Sequence, residues 1–426
     1  MKVFKFGGAS VNSVERIQNV GHIMKHWSGE KIVVIISAMG KTTNALEKVA
    51  TAFYAGKKED ALQLFEQVKQ QHLNTAKYLL VTHYLPCEKQ LKDFFTEVEW
   101  LLHDKPVRDY DYYYDQVVCA GELFSTAIVS AYLNEEGVTN KWYDVRDIFR
   151  TDDDFRDASI DWEYTSANVL NIVFPAFDTT DIILTQGFIG ATDENESTTL
   201  GREGSDYSAA VFANMLEAES LTIWKDVESV MNADPKQFPE AVAITALNYN
   251  EVIEMAYYGA QVIHPKTIKP LQNKNIPLYV KCFLDPTLPG TVIHNKPVHN
   301  LPPIIVMKNN QVMITMSSKD FSFVGEQHIG HLYHLFEKLH IKPTITQNTA
   351  ISFLHVLDDW PEKIEKLALE ASMFFDVQLM KGLTLLTIRH YIPEIVEELT
   401  QKKIILLRQQ TPETIQVLMK EKQDEV

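Results

Sequence analysis

The start of the chain reads Lys2-Val-Phe-Lys-Phe-Gly-Gly-Ala-Ser10 and already indicates the fold class. Its first five residues predict a short strand, its paired glycines predict a turn, and residues 13–26 have the pattern of a helix. A second run, residues 32–36, contains only isoleucine and valine, which is typical of a strand buried on both faces of a parallel sheet. Strand, loop and helix therefore alternate from the outset, and this order predicts an α/β fold.

The same alternation continues over residues 1–296. Long helical patterns fill residues 44–134, and strands are predicted at 182–186, 221–224 and 277–281. We therefore expect an αβα sandwich with a mainly parallel open sheet. In such sheets, ligands bind beyond the carboxyl ends of the strands.

A second domain is predicted after a proline-rich break at residues 285–303. Beyond this break the pattern changes to short strands and to helices of two or three turns, from which two βαββαβ-like units can be drawn. The predicted domain bounds are 1–296 and 303–426. A length of 426 residues agrees with two or three domains.

Composition limits the classes of partner. There are 40 basic and 57 acidic residues, for a net charge of −17, so we expect no nucleic-acid and no membrane partner. The cysteines, Cys87, Cys119 and Cys282, are far apart and predict neither a disulfide framework nor a metal site. A continuous apolar run of about 18 residues is absent, as is a signal-peptide pattern. These features predict a cytoplasmic protein.

The first candidate site is Lys5 with the turn Gly7-Gly8. Paired glycines let the backbone approach a phosphate closely, and the following helix points its N-terminal amides at the anion. A lysine beside this turn can reach the same phosphate as a point charge. A plain turn between strand and helix explains the pattern equally well when it is taken alone.

The second candidate site is Gly201-Arg-Glu-Gly-Ser-Asp206, at the entrance to a predicted helix. Arg202 has a planar fork of donors that suits a carboxylate. Ser205 or Asp206 is expected to cap the helix, and a cap alone is worth about 1 kcal/mol. However, a lysine between phosphates needs a fixed carboxylate partner, and Asp206 is the candidate for Lys5.

Two weaker signals remain. Glu122 is an acidic residue within an apolar helical pattern, so it either faces solvent or binds an ammonium group; without the other motifs, solvent is the favoured interpretation. Residues 224–227 and 231–236 form a strand end and a proline-bearing turn that can supply groups for a purine and a lysine near phosphates. Taken alone, this second pattern mainly predicts a turn.

Several motifs, taken together, resemble those of the aspartate kinase family in order and spacing. They are residues 5–10 (Lys-Phe-Gly-Gly-Ala-Ser), 37–44, 121–123 (Gly-Glu-Leu), 201–207 (Gly-Arg-Glu-Gly-Ser-Asp-Tyr), 226–227, 234–235 and 259–265. The resemblance covers residue 2 to about residue 294 and implies the amino acid kinase fold. Residues 300–426 resemble, more loosely, the paired ACT regulatory domains of that family, which implies ferredoxin-like α+β domains.

The resemblance also implies a role for each matching residue. Lys5 would contact the transferring phosphoryl group, and Asp206 would orient Lys5. The residues implied to bind the amino-acid substrate are Ser37, Thr43, Glu122, Arg202 and Ser205. The residues implied to bind nucleotide are Lys5, Gly7, Gly8, Lys225, Asp226, Met231, Lys236 and Gln261. The implied cofactors are ATP and Mg²⁺, with no side-chain cluster of the protein predicted to hold the metal.

The implied reaction moves the γ-phosphate of ATP to the side-chain carboxylate of L-aspartate, the first step towards lysine, threonine and methionine. That carboxylate has a pKa near ~4, so it is ionised at pH 7 and needs no general base. The reaction requires positioning and charge neutralisation. We also expect a monofunctional enzyme, a homodimer or larger homo-oligomer, and an amino-acid effector at the ACT region.

The sequence departs from the family pattern at several positions. The family usually has Thr or Ser where this chain has Ala9, often Gly where it has Glu203, and in many members Lys where it has Gln261. Met231 stands where some members have an aromatic residue. Lysine-inhibited members tend to have Asp at the position of Thr344, so we hypothesise that lysine is not a strong inhibitor here.

Two rival interpretations stay open from sequence alone. One is another kinase of the same fold that acts on glutamate, acetylglutamate or uridylate. The other is a non-catalytic subunit that senses amino acids. Arg202 and Glu122 argue for a zwitterionic amino-acid substrate, and the ACT-like region argues against the first rival. An intact set of Lys5, Arg202 and Asp206 argues against the second.

Overall fold

The structure is a computed structural model of the chain, and it describes residues 1–260, 262–320, 323 and 325–422. The chain divides into two compact units. The first unit is Met1–Val230, Ala243–Ile253 and Val262–Val298, and the second is Met231–Val242, Glu254–Gln261 and His299–Val426. Two short segments that precede residue 262 thus belong with the C-terminal part. The domain bounds 1–296 and 303–426 stay a prediction.

The first 298 residues contain both strands and helices, and five consecutive helices fill the range from Thr42 to Glu135, where the sequence predicts long helical patterns. The strands are β1 (Lys2–Phe6), β2 (Ile32–Ile36), β3 (Asn140–Trp142), β4 (Ile182–Gln186), β5 (Ile189–Ala191), β6 (Ser197–Thr199), β7 (Ser220–Lys225), β8 (Val230–Met231), β9 (Ala243–Ile244), β10 (Ala246–Asn248), β11 (Leu278–Cys282) and β12 (Thr291–His294). The helices are α1 (Val14–Lys25), α2 (Thr42–Tyr54), α3 (Lys58–Leu79), α4 (Tyr84–His103), α5 (Tyr110–Val118), α6 (Ala120–Glu135), α7 (Trp162–Asn168), α8 (Phe174–Ala176), α9 (Gly204–Met215), α10 (Tyr249–Tyr258) and α11 (Pro265–Lys274).

The main sheet of the first unit has the strand order β10-β12-β11-β7-β1-β2-β4-β3. Its neighbours run parallel, except that β11 and β12 are antiparallel. All five residues of β2 are buried, as expected for a central strand covered on both faces. The predicted α/β class with a mainly parallel open sheet is confirmed. The predicted break at 285–303, however, contains β12, because this strand pairs with β11 and β10 in the sheet.

Helices cover both faces of this sheet, and β1 shows how. Successive side chains of a strand point to opposite faces. The ring of Phe4 packs edge-on against Trp27, just after α1, with centroids 5.2 Å apart. Lys5, on the opposite face, reaches Asp206 of α9. The sheet is therefore the middle layer of the predicted αβα sandwich.

One helical stretch of the first unit is unusually apolar, although the sequence contains no continuous apolar run of about 18 residues. Tyr110–Glu135 is the one helix in the described part of the chain that is long and apolar enough to cross a membrane, but 89% of its most apolar window is buried inside the protein. This stretch comprises α5 and α6. This degree of burial is typical of a helix in the core of a folded domain.

The second unit contains an antiparallel sheet. Its strands are β13 (Ile304–Ser318), β14 (Ile345–Asn348), β15 (Ser352–Asp358), β16 (Phe375–Arg389), β17 (Lys403–Gln410) and β18 (Thr414–Glu421), and its helices are α12 (Glu326–Lys338), α13 (Pro361–Ala371) and α14 (Pro393–Thr400). The strand order is β14-β15-β13-β16-β18-β17. The predicted ferredoxin-like α+β class is confirmed for this region.

The two predicted βαββαβ-like units are not separate. Elements β13, α12, β14, β15, α13 and β16 form one such unit in chain order. The second shares its long strands with the first, because the start of β13 pairs with the end of β16, which in turn pairs with β18. Among the described residues after β16, α14 is the only helix. The sequence does not reveal this sharing, because each 15-residue strand looks like two shorter ones.

Candidate active site

Most of the predicted site residues line one cavity of about 600 Å³ in the first unit. It lies where β1, β2 and β7 end, which is the edge at which parallel sheets bind ligands. The predicted residues along its wall are Lys5, Gly7, Gly8, Ser37, Thr43, Glu122, Arg202, Ser205, Asp206, Lys225 and Asp226. Met231 and Lys236 belong to the second unit, and Gln261 lies outside the described residues.

A buried ion pair lies at the centre of this wall. The Nζ atom of Lys5 is 2.6 Å from Oδ1 of Asp206, and the two side chains are 12% and 5% exposed. Burial alone would raise the pKa of Asp206, but the charges of Lys5 and Lys225 outweigh it and lower the pKa. The carboxylate thus stays ionised and holds the ammonium group of Lys5 at the end of β1.

The glycine turn after β1 packs tightly against the loop after β2. Gly40 donates its backbone N–H to the carbonyl oxygen of Gly8 over 3.0 Å. A Cβ atom on Gly8 would lie 2.6 Å from the carbonyl oxygen of Ala38, so a side chain does not fit there. This contact joins two of the loops that line the cavity.

The start of α9 differs from the predicted cap. The helix begins at Gly204, and the preceding residue, Glu203, has φ of 54° and makes no side-chain cap hydrogen bond. Ser205 and Asp206 lie inside the first turn and are buried. The prediction that one of them caps the helix was wrong, because the carboxylate of Asp206 pairs with Lys5 instead.

Glu122 is buried at the cavity wall, with only 2% of its surface exposed. Its Oε1 accepts the backbone N–H of Ala38 over 3.3 Å, and its Oε2 has no hydrogen-bond partner among the described residues. Burial raises the pKa of Glu122 from 4.5 to about 8, against the opposing effect of the Ala38 N–H. A buried carboxyl with a free oxygen fits a ligand ammonium group. The solvent-facing alternative for Glu122 is excluded by its burial.

Lys225 and Arg202, two cationic side chains of the cavity wall, differ in their hydrogen bonding. Lys225, at the end of β7, donates to the carbonyl oxygen of Val262 over 2.7 Å. Arg202 is exposed, and the part of the chain that the structure describes offers it no ion pair or hydrogen bond. Its guanidinium is therefore available to an anion.

Sequence reasoning did not find four further residues of the wall, Tyr114, Arg156, Phe188 and Thr199. A carboxylate behind the wall, Asp115, holds two of them. Asp115 is 0% exposed and accepts the backbone N–H of Arg156 over 3.0 Å and that of Thr199 over 2.8 Å. It also accepts the Thr199 hydroxyl over 2.7 Å.

Desolvation raises the pKa of Asp115 to about 6, although these hydrogen bonds oppose the shift. Tyr114 and Asp115 end an acidic, tyrosine-rich run at residues 109–115, and α5 begins within this run. In the sequence, this part of the site is marked only by Tyr114 and Asp115, the last two residues of the run. Their proximity to residues 156 and 199 arises only from the tertiary fold.

Comparisons with known proteins identify the family of the chain. A profile of the amino acid kinase family matches residues 1–282. The chain is 30% identical to chloroplastic aspartokinase 1 of Arabidopsis thaliana over 418 residues, which is 91% of this chain and 70% of that relative. It is 32% identical to chloroplastic aspartokinase 2 of the same plant, over 84% of this chain and 66% of the relative. The chain thus spans about two thirds of the length of these relatives.

A solved structure supports the fold assignment. A crystal structure of Escherichia coli aspartokinase III in complex with aspartate and ADP is similar over 98% of this chain and 96% of that chain, with a TM-score of 0.83 and 24% sequence identity. The lysine-sensitive aspartokinase 3 of the same bacterium is 27% identical over 91% of this chain and 86% of its own length. The chain therefore belongs to the amino acid kinase family, and within it to the aspartokinases.

Proposed function

We propose that this chain is an ATP-dependent aspartate kinase, which transfers the γ-phosphate of ATP to the side-chain carboxylate of L-aspartate. The products are 4-phospho-L-aspartate and ADP. The observation that carries the proposal is the Lys5–Asp206 ion pair, in the same cavity as Arg202 and Glu122. Lys5, Arg202 and the buried carboxyl group of Glu122 around one cavity suit an acceptor that has one ammonium group and two carboxylates.

The acceptor end is assigned to residues with free polar groups. The unpartnered Oε2 of Glu122 would accept from the ammonium group of aspartate, and the exposed fork of Arg202 would bind a carboxylate. The hydroxyls of Ser37, Thr43 and Ser205, which lie on the same wall, would complete the contacts. The acceptor carboxylate is ionised at neutral pH, so no side chain has to remove a proton from it.

The donor end is assigned to the glycine turn and the lysines. Gly7 and Gly8 would present backbone amides to the phosphates, and Lys5 and Lys225 would neutralise their charge. In the reaction, an oxygen of the aspartate side chain attacks the γ-phosphorus, and the bond from that phosphorus to the leaving oxygen of ADP breaks. Lys5 stabilises the negative charge of the moving phosphoryl group, and Asp206 keeps Lys5 in position.

Mg²⁺ is proposed as the partner of the ATP phosphates. Besides Glu122 and Glu203, the cavity wall includes two aspartates, Asp206 and Asp226. Asp226 is exposed just after β7. One or two carboxylates suit Mg²⁺, which keeps several waters and takes its other ligands from phosphate. When bound, the ion would neutralise phosphate charge.

The test is ADP release by the purified protein, measured with aspartate, glutamate, acetylglutamate or UMP as acceptor. We expect aspartate to be the preferred acceptor by kcat/KM. A preference for another acceptor would assign the chain to a different kinase of this fold. No turnover with any acceptor, in a protein that still binds amino acids, would favour the non-catalytic sensor.

Other expectations from the sequence stay predictions. They are nucleotide contacts of Met231, Lys236 and Gln261, an amino-acid effector at the second unit, assembly into a homodimer or larger homo-oligomer, and a cytoplasmic location. Nucleotide titration of the Lys236→Ala variant would test the nucleotide contact of Lys236. Sedimentation of the whole chain would test the assembly into a homo-oligomer.

A further inference from the structure

The cavity wall contains a second arginine that the sequence motifs do not include. Arg156 lines the cavity together with Arg202, and its side chain is 44% exposed. Its backbone has φ of 74°, which is in the left-handed region. A residue other than glycine is uncommon there and costs about 1 kcal/mol or more. Such positions are concentrated at ligand-binding sites, where the structure around them holds the strained residue in place.

Three neighbouring residues hold Arg156, one through its backbone and two through its guanidinium. Its backbone N–H is held by buried Asp115, its guanidinium carbon lies 4.5 Å from the ring centroid of Tyr114, and its Nη1 donates to Asp111 over 2.9 Å. Guanidinium has five N–H donors, so one hydrogen bond leaves most of them available. The ion pair with Asp111 is exposed, and exposed pairs are worth only about 0–1 kcal/mol.

The position of Arg156 is on the acceptor side of the cavity. Ala158 donates its N–H to the carbonyl oxygen of Thr199 over 3.0 Å, which holds the loop of Arg156 alongside the chain that leads into Arg202. A Cβ atom on Gly201, the residue before Arg202, would lie 3.2 Å from the carbonyl oxygen of Arg156. The two arginines are therefore on loops in direct contact.

Tyr114, the aromatic partner of Arg156, also lies on the acceptor side of the cavity. Burial, with a contribution from Glu47, raises the pKa of Tyr114 to about 12, although Arg156 opposes the shift. Glu47 belongs to α2, the helix that also carries Thr43. Tyr114 belongs to α5, which packs against α2: the ring centroids of Tyr113 and Phe53 are 5.3 Å apart. Arg156 and Tyr114 thus lie close to both the Thr43 helix and the Arg202 loop, which we assign to the amino-acid acceptor.

We propose that Arg156 is a second guanidinium for the acceptor and that it binds, with Arg202, the carboxylate of the amino acid that does not react. This proposal rests on the function proposed above. The reacting carboxylate has to approach the phosphoryl group beside Lys5, so the two arginines on the acceptor side are left for the other carboxylate. A pair of guanidinium groups would fix the orientation of a short dicarboxylic amino acid and so determine which of its two carboxylates is phosphorylated.

The test compares Arg156→Gln with a matched variant, Arg108→Gln. Arg108 also stacks on a tyrosine of α5, with its guanidinium carbon 3.7 Å from the ring centroid of Tyr112, and also forms an ion pair, with Glu196, but it is not among the residues that line the cavity. We expect Arg156→Gln to raise the KM for aspartate at least about tenfold, as for the loss of a charged hydrogen-bond donor. The KM for ATP should stay within about twofold, and Arg108→Gln should leave both KM values unchanged.

β-Alanine distinguishes the two carboxylates, because it is aspartate without the carboxylate that does not react. Its inhibition constant against aspartate should be the same in the wild-type protein and in Arg156→Gln. An equal loss of affinity for β-alanine would mean that Arg156 acts on the reacting carboxylate, and would overturn the proposal.

Folding is checked with Arg156→Gly, because glycine adopts the left-handed conformation without strain. We expect this variant to keep its melting temperature within a few degrees and still to show the raised KM for aspartate. An unchanged KM in both Arg156 variants, with wild-type turnover of aspartate, would contradict the role of Arg156 and leave the proposed function intact. Absence of aspartate turnover in the wild-type protein would contradict both.

Discussion

The ammonium group of Lys5 lies 2.6 Å from a carboxylate oxygen of Asp206, although these residues are 201 positions apart in the chain and both are largely buried. The contact joins the end of β1 to the first turn of α9. An ion pair that is nearly enclosed by protein is not a strong source of stability, because the loss of hydration offsets most of the attraction. We therefore interpret the pair as a device for holding a cation at the cavity.

The first prediction concerns the Asp206→Asn variant. The amide keeps the shape of the side chain but not its charge, so Lys5 would lose the partner that orients it. We expect kcat for aspartate phosphorylation to fall by about 10²- to 10³-fold, and the free energy of unfolding to fall by a few kcal/mol, as is usual when one partner of a buried pair is removed (about 3–5 kcal/mol).

The control is a surface pair of the same unit. Lys25 and Glu136 are 2.6 Å apart, with side chains 43% and 37% exposed. Removal of this pair by Glu136→Gln should change the unfolding free energy by less than about 1 kcal/mol and should not change kcat. Activity of Asp206→Asn within a few-fold of the wild type would show that Lys5 needs no carboxylate partner.

The second prediction concerns pH and Glu122. With a pKa of about 8 in the free protein, this carboxyl is largely protonated at pH 7, whereas an ammonium group binds the ionised form better. The KM for aspartate should therefore decrease as pH rises from 6 through 8 and should level off only above about pH 9, where the carboxyl is mostly ionised. In the Glu122→Gln variant the KM should be higher and should not vary with pH over this range.

Glu122 should also affect the stability of the free protein. The folded state holds this proton between pH 4.5, the ordinary pKa, and pH 8. The contribution of Glu122 to stability is complete below pH 4.5 and is lost as pH rises through 8. The melting temperature without ligand should fall less between pH 5 and 8 in Glu122→Gln than in the wild type. An equal fall would mean that Glu122 ionises normally.

The third prediction concerns stability in acid. His72 of α3 is 0% exposed, packs edge-on against Phe124 with ring centroids 5.2 Å apart, and has a ring nitrogen, Nε2, with no hydrogen-bond partner among the described residues. Burial lowers its pKa from 6.5 to about 4. The folded state thus holds fewer protons than the unfolded state between these values. The contribution of His72 to stability is present above pH 6.5 and is lost as pH falls through 4.

Phe at position 72 keeps the ring contact and removes the titration. Acid unfolding of His72→Phe, followed by circular dichroism, should have its midpoint at lower pH than that of the wild type. The pH-dependent term removed is about 3 kcal/mol, because one pKa unit is worth about 1.4 kcal/mol. His22→Phe, at an exposed position of α1, should leave the midpoint unchanged. An unchanged midpoint in His72→Phe as well would argue against a neutral buried imidazole.

The fourth prediction concerns feedback by lysine. Thr344 lies in a cavity of about 500 Å³ in the second unit. Among the described residues its walls have no charged side chain: they are Tyr257, Tyr258, Tyr333, Pro343, Thr344, Ile345, Thr346, Gln409 and Gln416. An ammonium group without a carboxylate partner is poorly stabilised in such a site. We expect no inhibition by lysine below about 1 mM, a concentration that corresponds to weak binding.

Threonine and methionine should be assayed as inhibitors in parallel. If the lack of a carboxylate at position 344 explains the insensitivity to lysine, the Thr344→Asp variant should be inhibited by lysine. Inhibition of the wild type by lysine at sub-millimolar concentration would end this hypothesis.

The sequence predicted the central sheet well, because continuous isoleucine and valine runs such as residues 32–36 are typical of strands buried on both faces of a parallel sheet. Pairing of Lys5 with Asp206 was also foreseen, from the need of a buried cation for a partner. The cap of α9 was not foreseen correctly, because Ser and Asp at a helix start usually bond to the backbone, and only the tertiary structure shows that Lys5 competes for Asp206. Arg156 was missed because neither its neighbours in sequence nor its residue type places it beside residue 201.

Phosphorylation of the aspartate side chain is measured by the formation of aspartyl hydroxamate when the purified chain is incubated with L-aspartate, MgATP and hydroxylamine. An acyl phosphate reacts with hydroxylamine, whereas a phosphate ester or unreacted aspartate does not, so the product reports phosphorylation of a carboxylate. We predict hydroxamate that depends on both aspartate and ATP in the wild type and is reduced at least about 10²-fold in Asp206→Asn. Equal hydroxamate in the two proteins would contradict the role of Asp206, and none in a folded wild-type protein would contradict aspartate kinase activity.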